Sequence, residues 1–260
     1  MALILGIDIG TQSVKTGIFD TDTCALANIA SRPYYSGARQ VAHEILDAAF
    51  DSVAESVSRR GGADDIKGIG FSGQMHGTVL FDKDGNVIGD IINWQDESCN
   101  EPVGAYGGRT TIDRMIELMQ GNDLSTLGID KMSSGFMGAS LFYLKEQEPE
   151  LFSQVHHVLF PTDFIRRELL DCGAFETDQT NGFSAGVFNT RENKWHESVI
   201  KSLGLPLDIF PRVRDTHDVC GAIGAKIAAR TGLKIGTPVI VGGGDNQMSM
   251  IGSGAFAPGG

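Results

Sequence analysis

The chain has 260 residues, 41% of them hydrophobic and 21% charged, the make-up of a folded domain rather than a disordered or fibrous one. Its net charge is −12 and no Lys/Arg run is present to neutralise phosphates along a backbone, which argues against nucleic acid and anionic membranes as partners. No uninterrupted apolar segment reaches the ~20 residues that span a bilayer.

Cys24, Cys99, Cys172 and Cys220 are widely spaced, with no C-x-x-C pair, and a chain of this size builds a core without covalent staples. They read as free thiols in a reducing compartment. The N-terminus, Met1-Ala-Leu-Ile-Leu-Gly-Ile-Asp8, lacks a basic leading region and meets a carboxylate after a short apolar run. It does not read as a signal peptide, so a cytoplasmic location is the expectation.

In chain order, Leu3–Asp8 reads as a strand, Gly10-Thr11 as a tight connection and Val14–Phe19 as a second strand; a turn over residues 20–23 leads to a third, Ala25–Ser31. These form an antiparallel meander. From Gln40 to Arg60, Val41, Ile45, Ala49, Val53 and Val57 recur at every fourth position, the mark of a helix with one buried stripe, and Gly61-Gly62 stops it. Ile66–Phe71 and Thr78–Phe81 read as strands, and Asp84-Gly85-Asn86 as a hairpin turn into Val87–Ile92. Residues 102–150 read as mainly helical, with Gly and Ser breaks, and Pro161-Thr162-Asp163 starts a helix over Phe164–Leu170. Residues 175–189 read as loop and short strand, and Cys220–Thr231 as a small-residue helix. Pro238–Val241 reads as a buried strand running into Gly242-Gly243-Gly244-Asp245. The closing Ala257-Pro258-Gly259-Gly260 are turn residues beyond that unit and read as a cut at a domain boundary.

This β-β-β-α-β-α order is α/β. It resembles the ribonuclease-H-like unit of the actin, hexokinase and heat-shock ATPase superfold, which implies a mixed central sheet flanked by helices and by itself says nothing about substrate.

Gly68-x-Gly70-x-x-Gly73 matches a dinucleotide fingerprint literally, but strand character rather than a helix follows it, so it is set aside. A G-x-x-x-x-G-K-[ST] loop is absent, as are H-E-x-x-H and any close Cys/His cluster. His156-His157 reads as a surface pair before a strand. Asp8-Ile9-Gly10-Thr11 ends a buried strand with a carboxylate and a glycine that admits a phosphate to the backbone; the alternative is an ordinary hairpin turn. Gly242-Gly243-Gly244-Asp245-Asn246 repeats this logic with more glycine than a turn requires, the alternative being Asp245 as a helix cap. Two strand-end carboxylates, one near each end of the chain, are what a phosphotransfer site between two halves requires.

Four segments occur in a telling order: Gly6-Ile-Asp8-Ile-Gly10-Thr11-x-Ser13-Val-Lys15, Phe71-Ser-Gly73-Gln74-Met75-His76-Gly77, Trp94-Gln95-Asp96 and Gly242-Gly243-Gly244-Asp245-Asn246. Together they resemble the FGGY carbohydrate kinases, over practically the whole chain. The Gln74–Gly77 and Gly-Gly-Gly-Asp runs are similar to the xylulokinase branch. Thr177-Asp178-Gln179-Thr180-Asn181, Phe188-Asn189-Thr190 through Trp195, and Trp94-Gln95-Asp96 lean to the sedoheptulokinase branch.

The resemblance implies an ATP-dependent, Mg²⁺-using kinase acting on a small ketose, with a homodimer left open. Asp245 would take the proton from the sugar hydroxyl. Asp8 would lie by the transferring phosphate and its metal, with Gly10, Thr11, Gln12, Ser13 and Lys15 at the nucleotide. Gln74, Met75, His76, Trp94, Asp96 and Asn246 would line the sugar pocket. Plainer roles stand beside these: Met75 as core filler, His76 as a satisfied polar group, Trp94 as a packing anchor. Residues 1–245 would be the sugar-binding domain and 246–260 the start of a C-terminal ATP-binding domain. Where the family usually continues Gly-Arg after Trp-Gln-Asp, this chain has Glu97-Ser98, so a cationic contact to substrate or phosphate is expected to be missing. That departure favours one alternative, a sugar-binding or regulatory relative impaired in transfer. A non-sugar ATPase of the same superfold is the other, and it leaves Gln74–Gly77 without a role.

Overall fold

The computed structural model describes residues 2–170 and 174–255; Cys172 and the closing residues 257–260 fall outside them. The expected meander is present. Leu3–Ile9 pairs antiparallel with Ser13–Asp20, which pairs antiparallel with Ala25–Pro33. On its other edge Leu3–Ile9 pairs parallel with Ile66–Gly73, followed by Pro238–Ile240 in parallel and Val219–Ala222 antiparallel. A two-residue strand, Gly243–Gly244, continues beside the end of Ile66–Gly73 and completes a seven-stranded mixed sheet.

Side chains on Leu3–Ile9 alternate between buried and half-buried, the period-two signature of a strand. Buried Ile45, Ala49, Val53 and Val57 line one face of the Ala42–Arg60 helix, and the Thr16 hydroxyl donates to Ser52 O across that contact at 2.9 Å. Burial of Ile45, Val53 and Val57 contributes about 1.5–3 kcal/mol each. Gly61, at φ +85°, closes the helix in the left-handed conformation. The helix starts at Ala42 rather than Gln40, because Arg39–Gln40 pairs with Ile91 and Ile92 as a short strand. That strand joins Val87–Ile92, Thr78–Phe81 and His157–Leu159 in an antiparallel four-stranded sheet. His157 opens a strand of that sheet, stacked 4.1 Å from Phe175.

A second apolar cluster, including Phe142, Phe160, Phe188 and Trp195, lies among the helices Thr111–Met119 and Met137–Gln147 and their connections, so residues 102–150 are largely helical as expected. The Cys220–Thr231 helix is a correction. Val219–Ala222 is a strand, and only Ala225–Thr231 is helical. Pairing with Pro238–Ile240 wins over the small-residue composition, because Gly221 lets the strand lie flush on Leu170: a Cβ there would sit 2.8 Å from Leu170 Cδ2.

The sheet face away from Ala42–Arg60 is open. A cleft of about 550 Å³ is lined there by Gly6, Gly17, Gly70, Phe19, Leu26 and Ile29, with Asp8 and Lys15 also on its wall.

Candidate functional site

The two strand-end carboxylates converge through strand register. Ile9 is level with Gly73, and Gly73 with Gly244, so three parallel strands end together and Asp245 follows directly on the third. In open α/β sheets this carboxyl edge is where ligands bind. The first and third backbones are two strand spacings apart, about 10 Å, which leaves room for a small substrate between the acids. Gly73 makes the approach possible: a Cβ there would lie 2.5 Å from Thr162 Oγ1 and 2.7 Å from Ile9 O. Gly242, at φ +79°, would bring a Cβ within 2.4 Å of Phe71 O.

Electrostatics agree with the register. Burial raises the pKa of Asp8, a Ser72 hydrogen bond and the Lys15 charge pull it down, and the charge of Asp245 raises it again. Asp245 Oδ1 accepts the Asn246 N–H at 2.8 Å. Asp245 is the first residue of the Asp245–Ser253 helix, whose cap is Gly244 without a side-chain cap bond, so the plainer reading of Asp245 as the cap is not met.

The Gly10–Ser13 turn closes with Gly10 N–H donating to Ser13 O at 3.1 Å. Its carbonyls are held from outside: the Tyr34 hydroxyl donates to Gly10 O and Gln40 Nε2 to Thr11 O at 2.9 Å. Trp94, 47% exposed and so no core anchor, donates its indole N–H to Thr11 Oγ1 at 3.0 Å. Gly10, Thr11, Gln12, Ser13, Lys15 and Trp94 thus share one recess of about 310 Å³. Lys15 also lines the larger cleft beside Asp8.

On the other side, Gln74 N–H donates to Ile9 O at 2.7 Å. Its buried side chain donates to Gln40 Oε1 at 3.3 Å, and its own Oε1 has no partner among the described residues. Met75 is buried and packs on the glycine run, where a Cβ on Gly244 would come 2.7 Å from its Sδ. The Asn246 amide approaches that sulfur at 3.8 Å. His76, at φ +76°, stacks 4.6 Å from Phe136 and places Nδ1 2.9 Å from Ser184 O. Burial lowers its pKa, while the Ser184 carbonyl and the Asp245 charge oppose the shift.

Asp96 is one step removed. It is buried, and its oxygens accept Ser98 N–H at 3.1 Å and Arg39 Nε at 2.8 Å. A guanidinium stands beside this loop, delivered by the Arg39–Gln40 strand rather than by the position after Asp96, and it is engaged by the Asp96 carboxylate. Arg39, Gln40 and Ser184 carry no local sequence signal of a site; their roles come from contacts across 34 to 108 positions of chain.

Among the described residues no helix is long and apolar enough to cross a membrane. Cys24, Cys99 and Cys220 are free thiols.

The chain is similar to known carbohydrate kinases. The xylulose kinase of Bacillus subtilis is 31% identical over 269 residues, which cover 100% of this chain and 51% of that protein. The xylulose kinase of Escherichia coli is 26% identical, over 97% of this chain and 50% of that protein. Among solved structures, a xylulose kinase from Rhodospirillum rubrum superposes with a TM-score of 0.85 at 24% identity, covering 99% of this chain and 52% of that one. Plasmodium falciparum glycerol kinase with ADP superposes with a TM-score of 0.81 at 17% identity, over 100% of this chain and 51% of that one, a likeness of fold. The chain spans about half the length of the curated relatives it matches. Residues 3–252 match the N-terminal domain of the FGGY family of carbohydrate kinases, and the chain belongs to that family.

Proposed function

We propose that this chain is the sugar-binding part of a kinase that moves the γ-phosphoryl group of ATP onto a hydroxyl of a small ketose, xylulose being the first candidate because curated relatives are xylulose kinases. One observation carries the reading: Asp8 and Asp245, 237 positions apart in sequence, stand at the ends of parallel strands close enough for the charge of one to act on the other.

Phosphoryl transfer asks for positioning and charge neutralisation more than for covalent chemistry by the protein. In the proposed step the sugar oxygen bonds to the γ-phosphorus, the bond from that phosphorus to the bridging oxygen breaks, ADP leaves, and the sugar proton passes to Asp245. Asp245 acts as general base, with Gln74, Met75, His76, Trp94 and Asn246 around the sugar. Gly10, Thr11, Gln12, Ser13 and Lys15 take the phosphate side.

Asp8 suits Mg²⁺ in donor type and placement, since a half-buried carboxylate beside Lys15 and the phosphate-side turn offers the hard oxygen ligand that this ion takes in combination with phosphates. When bound, the ion would neutralise charge on the phosphates. The second half that the relatives possess would hold the adenosine. Asp96, buried against Arg39, would stiffen the Trp94 loop rather than touch sugar.

The test is ATP-dependent ADP release by a polypeptide that extends this chain with such a second half, offered xylulose, ribulose, sedoheptulose and glycerol in turn. Turnover with at least one ketose is expected. Ketose binding without turnover would favour the impaired sugar-binding relative, and neither binding nor turnover with any of the four would remove the assignment.

A further inference from the structure

Immediately under the glycine strand lies a short helix, Gln179–Phe183, capped by Asp178. Asp178 is fully buried, yet both its oxygens are engaged. Oδ1 accepts the Thr180 N–H at 2.6 Å, the Asn181 N–H at 3.2 Å and the Thr180 hydroxyl; Oδ2 accepts Asn181 Nδ2 at 2.7 Å. A threonine hydroxyl has a single proton. With that proton committed to Asp178, the Thr180 oxygen is left as an acceptor, and it receives the Gly244 N–H at 2.7 Å.

Gly244 is buried and immediately precedes Asp245. Its N–H points away from the Ile66–Gly73 strand toward Thr180, so this one bond holds the outer side of the strand that leads into Asp245. The fit is close: a Cβ on Gly243 would lie 2.9 Å from Thr180 Oγ1. One residue beyond the same short helix, Ser184 accepts the His76 N–H at 3.3 Å and places its carbonyl at Nδ1 of that histidine. A single turn of chain therefore grips the strand leading into Asp245 at one end and the histidine of the candidate sugar pocket at the other.

We propose that Asp178 and Thr180 are positioning residues for Asp245: the buried carboxylate orients the Thr180 hydroxyl, the hydroxyl fixes the Gly244 backbone, and the acid is thereby aimed at the sugar hydroxyl. The proposal rests on the reading of Asp245 as general base. Neither residue touches substrate, so each acts on turnover through geometry. A displacement of about 1 Å at a reacting group is enough to cost on the order of 10²-fold in rate.

The experiment is steady-state kinetics in the extended polypeptide, with thermal midpoints in parallel. Thr180→Val keeps the side-chain shape and deletes the acceptor; kcat should fall about tenfold to hundredfold while the ketose KM moves less than about threefold. Thr180→Ser, which keeps the hydroxyl, should recover kcat to within about threefold of the parent. Asp178→Asn is the second probe should Thr180→Val fold poorly, and it should lower kcat at near-constant KM.

Unchanged kcat in Thr180→Val overturns the proposal. So does equal loss in the Val and Ser variants, or a KM rise that accounts for the whole effect. Asp245→Ala, run alongside, separates two failures. If it turns over normally, the base assignment and the proposal fall together; if it is inactive while Thr180→Val is normal, only the positioning role falls.

Discussion

His76 occupies the left-handed region at φ +76°, where a non-glycine residue persists only when its surroundings hold it. The Phe136 stack and two contacts to Ser184 supply that hold. Because burial lowers its pKa, the folded chain binds fewer protons than the unfolded chain once the pH drops below the ordinary histidine value. Stability therefore falls as pH falls through the window between the unfolded value of ~6.5 and the lower folded value, and is unaffected by this group above it. His76→Gln should lose less stability than the parent between pH ~7.5 and ~5.5 in urea titrations; equal losses would mean that His76 is not held neutral by the fold.

At the scale of elements, the meander and the Ala42–Arg60 helix were readable because their burial is periodic: every second residue along Leu3–Ile9, every fourth from Ile45 to Val57. Gly243–Gly244 was not readable as a strand, since two residues without side chains carry no alternation and their pairing partner, Ile66–Gly73, lies some 170 positions back. Val219–Ala222 reads as helix from its composition, but pairing with Pro238–Ile240, which is tertiary, outweighs composition. The acids themselves were visible as carboxylates at strand ends beside glycine. The contacts that hold the surrounding segments, Gln40 to Thr11 and Gln74, Arg39 to Asp96, Thr180 to Gly244 and Ser184 to His76, are not, because a hydrogen bond between distant segments leaves no local pattern. Gly242 marks where element and site meet. Gly242→Ala would meet a left-handed penalty of roughly 1–2 kcal/mol together with the 2.4 Å approach to Phe71 O. Destabilisation by ~3 kcal/mol or more is expected in urea titration; a change under ~1 kcal/mol would show that the strand end relaxes freely.

At the scale of the whole molecule, one wall of the large cleft is sheet: Phe19, Leu26 and Ile29, with 43%, 48% and 52% exposure, surround a floor of glycines that ends at Asp8 and Lys15. The candidate sugar-pocket residues and the Gly10–Ser13 turn meet where this floor reaches the carboxyl edge of the strands, and there the charge of Asp245 acts on Asp8. The proposed transfer would take place at this edge.

The most direct measurement is kcat and ketose affinity for Asp245→Ala beside the parent, both in the extended polypeptide, with affinity taken from isothermal titration. Turnover should fall on the order of 10²–10⁴-fold while the dissociation constant stays within about threefold. Undiminished turnover, or a loss of binding as large as the loss of rate, would contradict the account.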